Sequence, residues 1–579
     1  MPWVSSPPSL TPCARPAGPR QHKYQGLLCV LREVDCSLCQ ASRLATHGSH
    51  FVMILTVSLS AVAKLSRSNR LPEWPPSLTE EREVALLHEA IDWALSNGLV
   101  LRPAAVDNEV SSTTVIHAPF SLFPTPFPKT LYEQAISVQG SYSALYCAIA
   151  SNADFLEKVI GGAVSKVDEF QGKLYEIWQQ VRADGQEQTV TLGIFRSDYL
   201  MHAPTSDAAL PLEIKQVEFN TISSSFGALS SKVTSLHQHL LHSGYYPSSA
   251  AIDASALPRN DALSAISKGI ASAHQYYQQQ QSTKAAVVLF VVQDPERNAF
   301  DQRAIEWLLQ EMSVSVRRLT LAQVRQQCSL TDDKRLLLRE PISAGPREIS
   351  VVYYRAGYGP ADYTLAEHWF TRLLLERSRA VKCPSVALQL AGAKKIQQVL
   401  TEPGMLERFE SEHLDQRQIA DLRRTFIALY SLEEGTEGDQ NEQLARDQPS
   451  RFVLKPQREG GGNNVYREKI PPFLDELNKR DRPGQPKGRE GYILMELILP
   501  PTEQKNIMVR TGEGKGLLGD TVSELGIYGI SLFDSKPGSK QADMISSEVG
   551  GHLLRTKGRQ DDEGGVAVGF SVIDSPFLV

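Results

Sequence analysis

The sequence predicts an α/β protein made of several structural units. Its 579 residues are 41% hydrophobic and 22% charged, which is ordinary for globular proteins and sufficient for three or four units. Apolar residues recur at helical spacing in some segments and form short continuous runs in others. Between about 285 and 392 these runs alternate with a helical segment, which predicts a parallel sheet flanked by helices.

The first helix is predicted from a capping box formed by Ser77 and Glu80. Apolar residues then recur every three or four positions until Asn97, where Asn-Gly ends the helix. A second helix is predicted to start at Thr130, with Glu133 completing another capping box.

Further elements follow from apolar runs and turn residues. Strands are predicted over 189–195, 212–219, 285–292, 314–319, 349–354 and 492–498, and a helix over 301–312. Residues 451–468 have the pattern of a hairpin with a glycine-rich tip. Residues 433–450 are acidic and polar, which predicts a loop.

The chain is divided into an N-terminal extension over 1–72, a first core segment over 73–284, an inserted α/β domain over 285–392 and a second core segment over 393–579. The first 70 residues contain eight Lys/Arg and two acidic residues. This composition is typical of an organellar transit peptide, and it fits a mispredicted gene start equally well. We expect the extension to be disordered or to serve targeting.

Composition also limits the function classes. The formal net charge is −6, and no strong basic patch suggests nucleic-acid binding. The longest apolar run, 51–63, is shorter than the ~20 residues of a membrane-spanning helix. Of the seven cysteines, four lie within the first 39 residues and three are scattered. The scatter argues against a disulfide framework and for a reducing compartment, so we expect a cytoplasmic protein.

The most informative segment runs from Lys455 to Asn464. Lys455 follows an apolar strand and precedes Glu459 and three consecutive glycines. Glycines let backbone N–H groups approach phosphate oxygens, a lysine supplies positive charge, and a glutamate can hold Mg²⁺. It is not a Walker A motif because no Lys-Ser/Thr pair follows the glycines. Alone, the segment fits nucleotide binding and a flexible hairpin tip equally.

Two other segments carry matching chemistry. Glu218 and Asn220 are two apart in a predicted strand, so they share a face and offer oxygen atoms to a hard cation. The serines of 223–225 can serve an anion, although an exposed strand with a polar turn is the alternative. Near the C-terminus, Arg555 and Lys557 precede a Gly-Gly loop and suit carboxylates and phosphates, or form an ordinary charged loop.

Together these segments resemble the eukaryotic glutathione synthetases, which are ATP-grasp enzymes, over residues 75–579. The most diagnostic stretches are 196–199, 218–227, 296–298, 300–306, 373–378, 455–464, 523–526 and 553–557. The resemblance implies an α/β ATP-grasp fold with an inserted parallel α/β substrate-binding domain and a mobile glycine-rich lid. It also implies a homodimer.

The resemblance implies a ligase that joins γ-glutamylcysteine and glycine through an acyl phosphate, with ATP and Mg²⁺ as cofactors. The residues implied in catalysis are Arg196, Lys394, Lys455, Arg555 and Lys557. Those implied in nucleotide binding are Glu218, Lys394, Lys455, Pro456, Gln457, Arg458, Glu459, Gly460, Gly461, Gly462, Asn463, Asn464, Tyr466, Met495, Glu496, Leu497, Ile498, Glu524, Lys557 and Glu563. Those implied in substrate binding are Arg196, Ile222, Ser223, Ser224, Ser225, Glu296, Asn298, Gln302, Arg355, Tyr358, Arg555, Val566 and Ala567. The implied Mg²⁺ ligands are Glu218, Asn220 and Glu459.

Three positions depart from the family pattern. Ala356 stands where relatives often carry Asp, Leu497 replaces a Lys, and Glu563 replaces an Asp. Two other functions are kept as alternatives: a ligase that uses β-alanine or serine as the amine acceptor, and a non-catalytic nucleotide-binding regulator.

Overall fold

The computed structural model describes residues 74–104, 110–204, 211–250, 252–281, 283, 285–340, 345–458, 462–511, 515–562, 564–566, 569 and 571–579. The predictions for the N-terminal extension therefore lie outside the described residues. Five predicted site residues also lie outside them, namely Glu459, Gly460, Gly461, Glu563 and Ala567.

Strands form the framework of the fold. They are β1 (Val100–Leu101), β2 (Ile116–His117), β3 (Phe120–Ser121), β4 (Thr125–Phe127), β5 (Val190–His202), β6 (Glu213–Asn220), β7 (Val287–Val291), β8 (Val316–Leu319), β9 (Cys328–Leu330), β10 (Leu336–Leu338), β11 (Arg347–Tyr354), β12 (Val381–Cys383), β13 (Leu429–Ser431), β14 (Phe452–Pro456), β15 (Val465–Tyr466), β16 (Tyr492–Glu496), β17 (Lys505–Val509), β18 (Leu517–Asp534), β19 (Asp543–Gly558), β20 (Ser571–Asp574) and β21 (Pro576–Leu578).

Helices cover the strands. They are α1 (Glu80–Ser96), α2 (Lys129–Ser151), α3 (Ala153–Val159), α4 (Ser165–Val167), α5 (Glu169–Ala183), α6 (Gly227–His242), α7 (Ala262–Gln281), α8 (Ala299–Glu311), α9 (Leu321–Gln327), α10 (Ala366–Glu376), α11 (Val386–Ala391), α12 (Lys394–Thr401), α13 (Gln416–Thr425), α14 (Thr436–Asp447) and α15 (Ile470–Asn478). A π-helical segment, Ile160–Val164, follows α3. No helix in the described ranges has both the length and the apolar character that crossing a membrane requires.

A mixed sheet of thirteen strands runs through the described residues. Its parallel part has the order β8-β7-β11-β12-β5, which confirms the parallel strands predicted between 285 and 392. On its other side β5 pairs with β18 in antiparallel orientation, and β6 also pairs with β5. The strand β5 therefore lies where the parallel and antiparallel parts of the sheet meet.

The core lies on both faces of this sheet. Leu192 and Ile194 of β5 belong to one hydrophobic cluster, with Ile266 of α7. Phe195 and Tyr199 belong to another cluster, with residues of α2. This follows from the alternation of side chains along a strand. Leu192 and Ile194 lie on the face of β5 that packs in the first cluster. The next residues on that face, Arg196 and Asp198, are charged.

A separate antiparallel sheet has the order β13-β16-β14-β15. The pairing of β14 with β15 confirms the hairpin predicted over 451–468. This sheet packs α14 and α15 around a small cluster that includes Phe452 and Leu494. The separation of residues 285–392 as a distinct domain stays a prediction.

Three local predictions are wrong. The cap of α1 is Thr79, whose Oγ1 accepts from Arg82 N at 3.4 Å, so the capping box does not begin at Ser77. Helix α2 begins at Lys129 after Pro128 and has no side-chain cap bond, so Thr130 is not its N-cap. The acidic segment 433–450 contains helix α14 because Glu442 pairs with Arg446 one turn later and with the buried Arg489.

Candidate active site

A cleft of about 850 Å³ lies over the polar face of the central strands. Its walls come from β6, β5, β18 and β19, from the four-stranded sheet, and from the loops after β7 and β11. The predicted residues that line it are Arg196, Glu218, Asn220, Ile222, Ser223, Ser224, Ser225, Glu296, Asn298, Arg355, Tyr358, Lys455, Asn464, Tyr466, Met495, Glu496, Leu497, Ile498, Glu524, Arg555, Lys557 and Val566.

The floor of the cleft is set by strand register. Arg196 lies opposite Asn220, and Asp198 lies opposite Glu218. Residues directly opposite each other share a face of the sheet, so strand pairing alone brings these four together. On the other side, Glu524 of β18 lies opposite Arg555 of β19 and extends the same face.

A β-bulge at Val217 interrupts the pairing of β6 with β5, where Asp198 pairs with Glu218 and Tyr199 already pairs with Gln216. Bulged residues leave backbone groups outside the strand ladder. The Val217 carbonyl accepts from Lys455 Nζ at 2.8 Å and from Gln397 Nε2 at 3.4 Å. The bulge thus anchors the glycine-rich hairpin to the floor of the cleft.

Glu218 faces a cluster of positive charge. Its Oε2 lies 3.0 Å from Lys394 Nζ, which is placed by the first turn of α12. Burial alone would raise the pKa of Glu218, but Lys394, Lys455 and Arg555 outweigh that effect and lower the pKa well below its usual range. Glu218 is therefore ionised at neutral pH.

The opposite carboxylate behaves differently. Burial, together with the charges of Asp198 and Glu218, raises the pKa of Glu524 above its ordinary value, and Arg555 and Lys557 only partly offset this rise. Arg555 Nη2 donates to Glu524 Oε1 and, at 3.0 Å, to Asp198 Oδ2. Two carboxylates of one cleft thus have pKa values shifted in opposite directions.

Two arginines and a serine turn line one end of the cleft. Arg355 Nη2 donates to Ser225 Oγ at 2.7 Å, and its Nη1 donates to the Ser224 carbonyl at 3.0 Å. Arg196 Nη1 donates to the Ser225 carbonyl at 3.2 Å. Two buried guanidinium groups thus flank the serine turn, and Arg pairs well with carboxylates.

The loops after β7 and β11 close this end. Glu296 accepts from Asn298 N at 2.8 Å and from Gln302 Nε2 at 2.7 Å. Gln293 Nε2 donates to the hydroxyl of Tyr358 at 3.0 Å. Ligands bind at the carboxyl ends of parallel strands in open α/β sheets, and these loops occupy that position.

The other end is apolar. Val453, Met495 and Ile498 form a cluster with Leu429 and Ile493. This cluster faces the cleft between the two sheets, and Leu497, also partly buried, packs against it. An apolar slot with nearby backbone groups suits a planar ring such as a nucleobase.

Some predicted residues do not line the cleft. Gln302 contacts Glu296, and Lys394 contacts Glu218. The Gln457 carboxamide accepts from Lys395 N at 3.0 Å, and Arg458 pairs with Asp168. The others outside the lining are Pro456, Gly462 and Asn463. For these, backbone contacts stay a prediction.

The residues present fit a hard cation. Asn220 Nδ2 donates to the Arg196 carbonyl at 3.1 Å and to Asp198 Oδ2 at 2.9 Å. Its amide oxygen therefore remains for a ligand, beside the ionised Glu218. Among the described residues no group of three His, Cys, Asp or Glu side chains could hold a metal alone, so phosphate or water oxygens would complete the shell of a Mg²⁺ ion.

Sequence reasoning missed several residues of the site. Gln293, Arg467 and Asp562 line the cleft, whereas Asp198 is buried and does not line it. Asp198 had a usable signal, because it stands two residues after Arg196 in a strand and so shares its face. Arg467 and Asp562 had none, since their meeting depends on how two distant loops fold.

Known proteins share this architecture. The family model for the eukaryotic glutathione synthase ATP binding domain matches residues 80–578. The chain is 40% identical over 507 residues to glutathione synthetase of Rattus norvegicus, covering 87% of this chain and 99% of the relative. It is 36% identical over 506 residues to the chloroplastic glutathione synthetase of Arabidopsis thaliana, covering 87% and 86%.

A solved structure adds support for the fold alone. It is a glutathione synthetase-like effector, GSS30, from Globodera pallida in its apo form, with a TM-score of 0.64 and 24% identity over 87% of this chain and 98% of that chain. The ATP-grasp architecture, the family match over most of the chain and the two relatives agree. This chain belongs to the eukaryotic glutathione synthases.

Proposed function

We propose that this chain is an ATP-dependent ligase that joins γ-glutamylcysteine to glycine and forms glutathione, ADP and phosphate. The observation that carries the proposal is the shared cleft, in which an anion-binding end with two buried guanidinium groups adjoins a lysine-rich phosphate region and an apolar slot. The family membership and the names of the relatives support the same activity.

The dipeptide is held at the anion-binding end. Arg196 and Arg355 bind its carboxylates, while Ser223 to Ser225 and Tyr358 supply further polar contacts. Glu296 faces this end as a carboxylate acceptor for the γ-glutamyl amine. Arg555 lies between this end and the phosphate region, where it neutralises the carboxylate that is to be phosphorylated.

The nucleotide occupies the other end, with its base in the slot formed by Val453, Met495 and Ile498. Lys394, Lys455 and Lys557 neutralise the phosphates, since phosphoryl transfer depends chiefly on positioning and charge. Glu218 and Asn220 hold Mg²⁺, which screens the phosphate charge when bound. Glu459, the third expected ligand, lies outside the described residues.

The cysteinyl carboxylate of the dipeptide attacks the γ-phosphoryl group of ATP and ADP leaves. The glycine amine then attacks the acyl phosphate, forms the amide and releases phosphate. The acyl phosphate hydrolyses readily, so the loop that follows Lys557 must exclude water during the reaction. Val566 is buried and lines the cleft. By resemblance to the family it belongs to the acceptor segment, where its small side chain favours glycine.

We also propose a cytoplasmic location, from the scattered cysteines, and a homodimer, from the resemblance to the family. The test of the function is an assay of the purified full chain with Mg²⁺, ATP and γ-glutamylcysteine, with glycine, β-alanine or serine supplied separately. Glutathione and ADP formed with glycine are the expected result. Product with β-alanine and none with glycine would overturn the acceptor assignment, and nucleotide binding without any product would indicate a regulator.

A further inference from the structure

We propose that Asp198 is a positioning residue of this site, which holds Arg196 and Arg555 in place and orients the amide of Asn220. The inference rests on the proposed function, because these three residues are there assigned to substrate and metal binding. Asp198 itself contacts no substrate in this scheme. It acts through the residues that do.

The carboxylate of Asp198 accepts four hydrogen bonds. Arg196 donates to it twice, from Nε at 2.6 Å to Oδ1 and from Nη2 at 2.9 Å to Oδ2. Asn220 Nδ2 at 2.9 Å and Arg555 Nη2 at 3.0 Å donate to the same Oδ2. The side chain is almost completely buried, so water cannot replace any of these donors. One carboxylate therefore links residues of three strands.

Each of these bonds fixes an orientation. The two-point contact holds the guanidinium plane of Arg196 and directs its Nη1 toward the serine turn, where it donates to the Ser225 carbonyl. The bond from Asn220 turns the amide nitrogen away from the cleft, which leaves the oxygen for a cation. An Asn amide free to rotate would present nitrogen, a poor cation ligand, about as often as oxygen.

Charge gives a second reason for the carboxylate. Arg196 and Arg555 both donate to Asp198, which places two guanidinium groups around one buried oxygen. Like charges this close repel strongly where water is excluded. Asp198 lies between them and offsets that repulsion, so loss of its charge would push the two arginines apart.

The opposite strand leaves room for this arrangement. Gly526 of β18 is the register partner of Asp198. A Cβ atom at Gly526 would lie 2.6 Å from Asp198 Oδ1 and 2.7 Å from Arg196 Cδ, closer than such atoms ever approach. Its φ angle is not in the left-handed region, so the glycine is required for space and not for backbone conformation.

The first experiment compares Asp198→Asn with the wild type. Steady-state kinetics should show a KM for γ-glutamylcysteine raised about tenfold or more, a lower kcat and a higher Mg²⁺ requirement. Calorimetry with γ-glutamylcysteine alone, without ATP or Mg²⁺, should show a matching loss of affinity. The control is Glu442→Gln, which removes a charge from the buried Arg489–Glu442 pair. Neither residue lines the cleft, so the affinity should stay unchanged.

The second experiment keeps the carboxylate and displaces it. Gly526→Ala should weaken γ-glutamylcysteine binding in the same calorimetric assay. Gly519→Ala on the same strand should not, because a Cβ atom there meets only Met508 Cε at 3.9 Å. If Asp198→Asn fails to fold, the alanine pair decides the question.

The outcomes separate the two proposals. A wild-type chain that forms no glutathione contradicts the proposed function. The positioning role is overturned by a different result. In that case the wild-type chain forms glutathione, but Gly526→Ala and any folded Asp198→Asn bind the dipeptide as tightly as the wild type. Loss of affinity in the Glu442→Gln control as well would show a general effect of buried charge, and it would also overturn that role.

Discussion

Arg467 and Asp562 form an ion pair across the cleft, although they are 95 residues apart in the chain. Arg467 directly follows β15 of the glycine-rich hairpin, and Asp562 lies in the loop after β19. The carbonyl of Asp562 also accepts from Lys557 Nζ at 2.6 Å. The pair therefore joins two segments that line the cleft to one of its lysines.

Reversing this pair should affect ATP more than the dipeptide. Asp562→Arg places two cations together, so the segments separate and the KM for ATP rises. The pair is substantially exposed, and exposed pairs are worth at most ~1 kcal/mol, which corresponds to about fivefold in affinity. The Arg467→Asp/Asp562→Arg double variant should recover most of the loss.

The measurement is the KM for ATP at low and high ionic strength, since salt screens exposed charges. Asp543→Asn serves as the control, because Asp543 forms an exposed pair with Lys536 outside the cleft. If Asp562→Arg and the double variant have the same KM for ATP, the Arg467–Asp562 ion pair does not hold the hairpin and the loop after β19 together.

Glu218→Gln should reduce turnover strongly and raise the Mg²⁺ concentration that turnover requires. The amide keeps the shape but loses the charge that faces Lys394. Sequence alone suggests little effect on the melting temperature without ligand. The structure predicts a loss of free energy of unfolding of about 1–3 kcal/mol, because the variant removes the negative charge 3.0 Å from the Nζ of Lys394, which is only 3% exposed.

Glu213→Gln is the matched control, since Glu213 lies on the same strand and pairs with Lys215 at 3.0 Å near solvent. It should change neither turnover nor the melting temperature. Normal turnover and Mg²⁺ dependence in Glu218→Gln would remove the metal site from the mechanism.

Asp362 should affect the KM for γ-glutamylcysteine and leave the KM for ATP unchanged. Its Oδ2 accepts from Gly357 N at 2.8 Å and Tyr358 N at 3.2 Å, and its Oδ1 accepts from Gln293 at 2.7 Å. These bonds hold the loop that presents Tyr358. Asp362→Ala should raise the KM for γ-glutamylcysteine by about threefold to tenfold and leave the KM for ATP unchanged.

Glu367→Ala, in the exposed first turn of α10, provides a control for the same region. An Asp362→Ala variant with an unchanged KM for γ-glutamylcysteine would show that the loop keeps its shape without the carboxylate.

Asp574 should make the protein less stable as pH rises from 5 to 7. Burial raises the pKa of Asp574 to about 6, although hydrogen bonds from Ser121, Thr125 and Thr556 lower it in part. In the unfolded chain an Asp titrates near ~3.9. Between about pH 3.9 and 6 the folded protein keeps Asp574 protonated while the unfolded chain does not, which stabilises the fold. This contribution to the free energy of unfolding declines as pH rises, by about 1 kcal/mol from pH 5 to 7.

Urea unfolding of the wild type and Asp574→Asn at both pH values measures this difference. The variant cannot titrate at this position, so its stability should decline less over the same interval. The same pH dependence in both proteins would show that Asp574 keeps its ordinary pKa in the folded state.

Patterns local in sequence predicted much of this structure. The apolar runs around Val287 and Ile349, with a helix between them, predicted parallel strands. The two-residue spacing of Glu218 and Asn220 predicted a shared face. Helix caps were less predictable, because Ser77 and Thr79 are both good caps and only the backbone path selects Thr79. Contacts such as Asp198 with Arg555 depend on strand register across 357 residues, which no local pattern specifies.

The position of β5 has a consequence for hydrogen exchange. Its backbone pairs on both sides, and its side chains enter both large hydrophobic clusters. Its amide hydrogens can therefore exchange with solvent only when the whole protein unfolds. The sheet of β13 to β16 rests on a much smaller cluster, so its amides should exchange faster by local opening. Nucleotide, which the proposed function places against that sheet, should slow exchange mainly there.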